Sequence, residues 1–406
     1  MKIALLAPTK VESSFSGIHV IKDITCLLNS LPNINVTVFS IGKNEENIKL
    51  KNYKEIVLKN NGFIGNDDIL IKLLDYLSLF LLKRSYSFFI RNKCSALIDK
   101  LIDYNPEIII TSYEFSDLIT LYKRHNKNVK IIALMDDPRQ INDTVNSKLA
   151  LIKSKTFSCK IYRVGVKIIA YNYVQMLEKK YTKLVKNSVF VINFTKEGSK
   201  ISKKIYRLYS NKFFVIPPPL LNFKPTYKLK VKKHARNILF LGSCNYSPNK
   251  ESIQLIENNI APKLPEFNFI LVGKNCRKYR FGNIRSFGYV AHINKILAES
   301  DICISPIIHG GGIKTKLLEY ITAAKPVIGT SLAFEGYNVK DSINAIIEDD
   351  INRYPERIRL LANSYRLRKK IAQNTEEIVS YFSKEKIAKK WITLFNKTML
   401  TAVSKK

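Results

Sequence analysis

The chain is poor in the residues that mark several large protein classes. Among 406 residues there are one Trp, four Met and five His. The six cysteines, Cys26, Cys94, Cys159, Cys244, Cys276 and Cys303, never form a Cys-x-x-Cys pair. A chain of this length needs no staples, so they are expected as buried or free thiols in a reducing cytoplasm. The His residues are equally scattered, which excludes a Cys/His metal site of ordinary spacing, and no metal is expected. No run reaches the ~20 uninterrupted apolar residues of a membrane-spanning helix. The closest, Ile69 to Ile90, is broken by Lys72, Asp75, Lys83 and Arg84. The opening apolar run, Ile3 to Ala7, is too short for a secretory signal and is expected as a buried first strand.

Acidic residues are also scarce. Asp and Glu total 33 against 67 Lys and Arg, for a net charge of +34. Such an excess favours anionic partners: nucleic acid, lipid headgroups or phosphorylated substrates. General Lys, Asn and Ile usage, with lysines on solvated faces, accounts for it equally well.

The chain does have an ordinary core composition, 46% hydrophobic. Short apolar runs alternate with helix-length segments. Strands are expected at 2–7, 36–41, 107–111, 130–135, 188–193 and 213–217. A second set is expected at 237–241, 269–272, 284–287, 302–305, 326–329 and 345–347. Strands separated by helical stretches read as βαβ units and parallel sheets. Two sets imply an α/β chain of two Rossmann-like, doubly wound domains facing a cleft. Pro217-Pro218-Pro219 continues neither helix nor ladder, and the basic stretch Lys224–Arg236 reads as a linker. The expected division is 1–222, 223–384 and a C-terminal helix at 385–406 packing back on the first domain. In that helix Ile387, Trp391, Ile392, Leu394 and Phe395 stand at helical spacing.

The chemistry concentrates between His309 and Glu319, in a loop that leaves the strand at 302–305 and enters a helix near Lys314. Gly310, Gly311 and Gly312 let backbone amides approach a bulky anion without a Cβ in the way. The first helical turn adds unpaired amides and the positive end of the helix dipole. Lys314 and Lys316 add charge, Thr315 a hydroxyl, and Ile313 completes the run. This is what a diphosphate requires, although the P-loop spacing is absent. Glu319, one turn on, is placed to accept ribose hydroxyls.

The run Gly312-Ile-Lys-Thr-Lys-Leu-Leu-Glu-Tyr320, with Lys325-Pro-Val-Ile328 and Phe334-Glu-Gly336, resembles the nucleotide-sugar signature of glycosyltransferase family 4, the group 1 transferases. Phe214-Val-Ile-Pro217, Phe240-Leu-Gly-Ser243, Tyr246-Ser-Pro-Asn249, Leu271-Val-Gly273 and Phe287-Gly-Tyr-Val290 follow in the family's order. The resemblance covers the C-terminal half and, more loosely, the N-terminal half. It implies the GT-B fold and a UDP- or GDP-linked sugar donor. It also implies a retaining, metal-independent transfer to a glycan or lipid-linked acceptor in surface polysaccharide or glycoconjugate synthesis. Gly242, Ser243, Gly273 and Lys274 then join residues 309–316 and Glu319 as donor-binding positions. The family's first acidic residue falls on Gly311, which leaves sugar choice open. Ala324 stands where the family has a helix-ending Gly, so a cap of different shape is expected.

In the N-terminal half, Ser16-Gly17 resembles the family's glycine-rich loop, with His19 beside it. Gly17 is expected near the donor phosphates. Lys316, Asp136 and His19 are the candidate catalytic residues, Asp136 as the group that orients or deprotonates an acceptor hydroxyl. Asp137, Glu114 and Asp117 also follow strand ends. The stretch Ile69–Ile102, apolar with interspersed Lys and Arg, fits either an anionic membrane surface or an internal helix pair. The enzyme is expected in the cytoplasm, with peripheral membrane contact and no nucleic-acid partner. Rival readings are a sugar-nucleotide epimerase on the same fold and a non-catalytic basic binding protein.

Overall fold

A computed structural model describes residues 1–8, 16–42, 46–50, 53–59, 95–135, 137, 160–220, 231–244, 246–290 and 293–400. The chain divides into two compact units. One is Met1–Pro219 joined by the C-terminal helix from Lys384, and the other is Leu220–Ser383.

The first unit holds an eight-stranded sheet: β1 (Lys2–Ala7), β2 (Asn35–Gly42), β3 (Glu46–Leu50), β4 (Tyr53–Lys59), β5 (Ile108–Thr111), β6 (Lys130–Leu134), β7 (Phe190–Asn193) and β8 (Phe213–Val215). Their order is β3-β4-β2-β1-β5-β6-β7-β8. Helices α1 (Ser16–Asn29), α2 (Ser95–Tyr104), α3 (Ser116–His125), α4 (Lys160–Asn187) and α5 (Lys196–Ile205) connect them. Every pair is parallel except β3 with β4. Strands covered on both faces read as continuous apolar runs, and Ile108, Ile109 and Ile110 are all fully buried.

The second unit holds β9 (Asn237–Leu241), β10 (Asn268–Val272), β11 (Lys278–Phe281), β12 (Ile284–Gly288), β13 (Ile302–Ser305), β14 (Val327–Gly329) and β15 (Ile346–Ile347). The order is β11-β12-β10-β9-β13-β14-β15. Helices α6 (Ser247–Leu255), α7 (Ile293–Glu299), α8 (Thr315–Thr322), α9 (Tyr354–Asn363) and α10 (Tyr365–Tyr381) complete it. Without the antiparallel edge strand β11, this is the doubly wound Rossmann order. The strand sequence reverses at β9, which pairs with β10 on one side and β13 on the other. Such a reversal opens a crevice beyond the carboxyl ends of the two central strands.

All twelve strands expected from sequence are present. The three unexpected ones are β3 and β11, polar edge strands of the two sheets, and β4, which joins β3 to β2. The final helix, α11 (Lys384–Leu400), buries Ile387, Trp391, Leu394 and Phe395, whereas Ile392 is exposed. Of the segment Ile69–Ile102, residues up to 94 lie outside the described part. Its remainder is α2, which buries Leu97 and Leu101 in the first unit's core. Among the described residues, no helix is long and apolar enough to cross a membrane.

Two expectations are corrected. Cys244 and Cys276 form a disulfide with Cα atoms 5.1 Å apart. They lie on the loops after β9 and β10, which are neighbours in space and 32 residues apart in sequence. Ala324 takes the left-handed conformation, φ +50, that a glycine adopts most easily. Lys325 N donates to Tyr320 O and Ala324 N to Ile321 O, so the cap keeps the ordinary Schellman shape.

Two stability predictions follow from this unit. Reducing the Cys244–Cys276 bond, or replacing Cys276 by Ser, destabilises Leu220–Ser383 by roughly 3–4 kcal/mol, the closure entropy of a loop this long. A non-reducing peptide map shows the linked peptides, and denaturant melts with and without reductant give the size. Separately, the buried Tyr320 hydroxyl accepts from Leu241 N at 2.6 Å, at the end of β9. Tyr320→Phe strands that amide and costs about 1–3 kcal/mol in the same melts.

Candidate donor site

The segment from Pro306 to Lys314 leaves the carboxyl end of β13 and enters α8, at the crevice beside β9. Gly310 and Gly312 have φ of +97 and +75, so the turn is built from conformations that residues with a Cβ rarely adopt. Lys314 is the N-cap of α8. The first-turn amides of a helix have no intrahelical acceptor and point outward from its end. The positive end of the helix dipole points the same way.

The two lysines have different fates. Lys314 is buried and turns back, its Nζ donating to Gly312 O at 2.8 Å. Glu335 lies 3.9 Å from that ammonium, and the Tyr337 hydroxyl donates to Lys314 O at 2.8 Å. Lys314 is therefore a brace of the loop, and its charge acts from behind the turn. Lys316 faces α6, donating to Asn249 Oδ1 at 2.7 Å, and its ammonium lies 4.2 Å from the Phe240 ring centroid. Burial, reinforced by the charge of Lys314, pushes the Lys316 ammonium down to about 7, with Glu319 opposing. Burial likewise pushes the Glu319 carboxyl up to about 7, with Lys316 opposing. An acid and a base one turn apart are thus both pushed toward neutrality, chiefly by burial.

Helix α6 clamps this segment. Its first turn holds Pro248, a residue suited to that place. Beyond the Asn249–Lys316 contact, Ser252 Oγ donates to Pro306 O at 3.0 Å. Glu251 makes an ion-pair contact with Nδ1 of His309. Both ends and the middle of the glycine segment are thus tied to one helix. The loops after β9 and β10 press together beside it. A Cβ on Gly273 would lie 1.8 Å from Gly242 O, so only glycine allows this approach. Cys244 N and Ser243 Oγ both donate to Lys274 O.

The structure therefore gathers Gly242, Ser243, Gly273, Lys274 and the run from His309 to Glu319 in one unit, around one crevice. Ile313 is buried beneath the loop and Thr315 opens α8. The sequence reading missed Asn249, Glu251, Ser252, Glu335 and Tyr337. Tyr246–Asn249 and Phe334–Gly336 were visible as motifs, but not their contacts.

In the other unit, Gly17 and His19 stand in the first turns of α1. The side chain of His19 and the whole of Asp136 lie outside the described residues. Asp137 is 2% exposed, as a structural carboxylate at the end of β6 would be. Glu114 accepts from Ser112 Oγ, and Asp117 pairs with Lys183 at 2.5 Å, so both are engaged within their own unit.

Residues 235–364 match the family described as glycosyl transferases group 1. No curated protein matches the chain in sequence. Solved structures match it almost end to end. Sucrose-phosphate synthase from Thermosynechococcus elongatus superposes with a TM-score of 0.70 at 12% identity, over 98% of this chain and 99% of that one. Anabaena HepE in complex with UDP and glucose gives 0.63 at 14%, over 98% and 100%. An E. coli structure described as trehalose-6-phosphate bound with UDP-2-fluoro glucose gives 0.62 at 12%, over 97% and 98%. At such identities the likeness speaks for the fold. Residues 235–364 therefore match the group 1 glycosyltransferases, and the chain as a whole has the GT-B fold of these structures.

Proposed function

We propose that the enzyme moves a sugar from a UDP- or GDP-linked donor to a glycan or lipid-linked acceptor. The transfer retains anomeric configuration and uses no metal ion, in the synthesis of a surface polysaccharide or glycoconjugate. The observation that carries this reading is the glycine turn at the switch point, braced by Lys314 and α6 and running directly into the start of α8, with Lys316 in its first turn. When the glycosidic bond to the diphosphate breaks, negative charge grows on the leaving phosphate. Amides and cations already in position stabilise that charge without reorganising. The loop amides and Lys316 are assigned to the diphosphate, with Gly242, Ser243, Gly273 and Lys274 lining its other side. Glu319 is assigned to the ribose hydroxyls. Retention comes from the resemblance to family 4. The structures described with UDP or a UDP-sugar favour UDP as the first probe. The N-terminal unit takes the acceptor role, with Asp136 and His19, while Gly17 is assigned to the donor phosphates.

The site works when Lys316 is protonated and Glu319 ionised. With both near 7, Lys316 loses its proton above that pH and Glu319 gains one below it. UDP affinity, measured by calorimetry between about pH 5.5 and 9, is expected to peak near 7 and fall by up to roughly tenfold per unit on either side. Lys316→Met flattens the alkaline limb and Glu319→Gln the acid limb. Failure of UDP, GDP and a panel of their sugars to bind at any pH would refute the donor assignment.

An anionic membrane at the cytoplasmic face is proposed as the place of work. In its support, Leu208 is 91% exposed and Ile205 55%, among exposed Lys200, Lys203, Lys204 and Arg207. Apolar tips within a basic ring fit an interface of acidic headgroups. Vesicles containing phosphatidylglycerol should carry the enzyme to the top of a flotation gradient, phosphatidylcholine vesicles should not, and Leu208→Glu should weaken the effect.

A further inference from the structure

The crevice has an imbalance. Its loop amides and Lys316 are hydrogen-bond donors, which suits a diphosphate. A sugar ring presents hydroxyls, each of which also needs somewhere to donate. From Gly310 to Gly312 the loop has no side chain to receive one. The neighbouring polar side chain is His309, and its Nδ1 is taken by Glu251.

That contact decides what the other side of the ring can do. A carboxylate beside Nδ1 accepts the proton carried there. A neutral imidazole with its proton on Nδ1 leaves Nε2 as an acceptor on the opposite edge. Among the described residues Nε2 has no partner. The pair is not a core contact either, since the side chains of His309 and Glu251 are 36% and 39% exposed. Both lie at the crevice rim, where β13 and β9 are adjacent strands.

We infer that Glu251 is a positioning residue that fixes the tautomer of His309, so that His309 Nε2 accepts a hydrogen bond from a hydroxyl of the donor sugar. The pair sets preference for sugars with a hydroxyl at that place, and the loop that takes the nucleotide stays tied to α6 without it, through Ser252 and Asn249. This rests on the donor site proposed above. Glutamine at 251 keeps the size but accepts or donates equally well, so the ring loses its enforced tautomer.

The test compares UDP with UDP-sugars, or GDP with GDP-sugars if those bind better, by calorimetry on the full chain. Wild type should bind the sugar nucleotide more tightly than the bare nucleotide. Glu251→Gln and His309→Ala should each weaken sugar-nucleotide binding about three- to tenfold, the worth of one hydrogen bond, and leave the bare nucleotide unchanged. The double variant should be no worse than His309→Ala alone. Deoxy-sugar donors lacking the recognised hydroxyl should bind wild type and His309→Ala alike. Equal losses for nucleotide and sugar nucleotide, or no loss for either, would overturn the inference while leaving the donor site standing. If wild type binds no nucleotide at all, the donor site and the inference fall together. Nitrogen-15 histidine spectra of the unliganded protein provide a second readout. Wild type should show His309 protonated on Nδ1, and Glu251→Gln should mix the tautomers; a tautomer unaffected by the change would also sink the inference.

Discussion

The second unit depends on the double pairing of β9, parallel to β10 on one side and to β13 on the other. A parallel strand returns only through a crossover, and right-handed crossovers on opposite sides of β9 leave on opposite faces. Their connections must part above the central strand ends, and nothing regular fills the space between. The glycine turn, the loop after β9 and the loop after β10 all border this space because the strand order leaves them nowhere else. The buried Tyr320 hydroxyl on Leu241 N then ties α8 back to β9, so the helix that enters the crevice keeps its position.

Bracing has an electrostatic consequence. Lys314, Lys316 and Glu319 are held within one turn of a short helix, away from most solvent. Lys314 is compensated by a loop carbonyl and Glu335. Lys316 has a neutral amide and a ring face against its ammonium, and burial with the charge of Lys314 outweighs Glu319, so its proton is weakly held. In the function proposed above, the donor diphosphate supplies countercharge to this cation, whose charged form burial disfavours.

Much of this was legible in the sequence because it is local. The strands of parallel sheets are apolar on both faces, and all twelve were found. The glycine turn announced itself through Gly310–Gly312 and the helix after it. What was hidden is what chain separation hides. The β3–β4 hairpin and β11 have polar residues on an edge, so period and composition are weak there. Cys244 and Cys276 meet because two strand ends are neighbours, which spacing along the chain does not encode. Ala324 shows that a propensity can be overridden: the helix must stop before Lys325-Pro326 to feed β14, and the Schellman bonds hold φ at +50 despite the Cβ. Asn249 and Glu251 sit in a stretch whose motif was visible, but their partners lie roughly sixty residues ahead.

The two lysines show why residue type alone leaves a role open. From sequence, Lys314 and Lys316 are equivalent charges beside a phosphate loop. A residue at the helix N-cap and one in the first turn point in different directions, however, because the backbone becomes helical only between them. The N-cap side chain lies against the loop it ends, so Lys314 becomes a brace. The first-turn side chain at Lys316 reaches across to α6. Gly310 to Gly312 carry no side chain, so in the proposed donor site their backbone can hold a phosphate but cannot tell one sugar from another. Discrimination must then come from side chains at the ends of the turn, which α6 holds through Glu251 at His309 and Asn249 at Lys316.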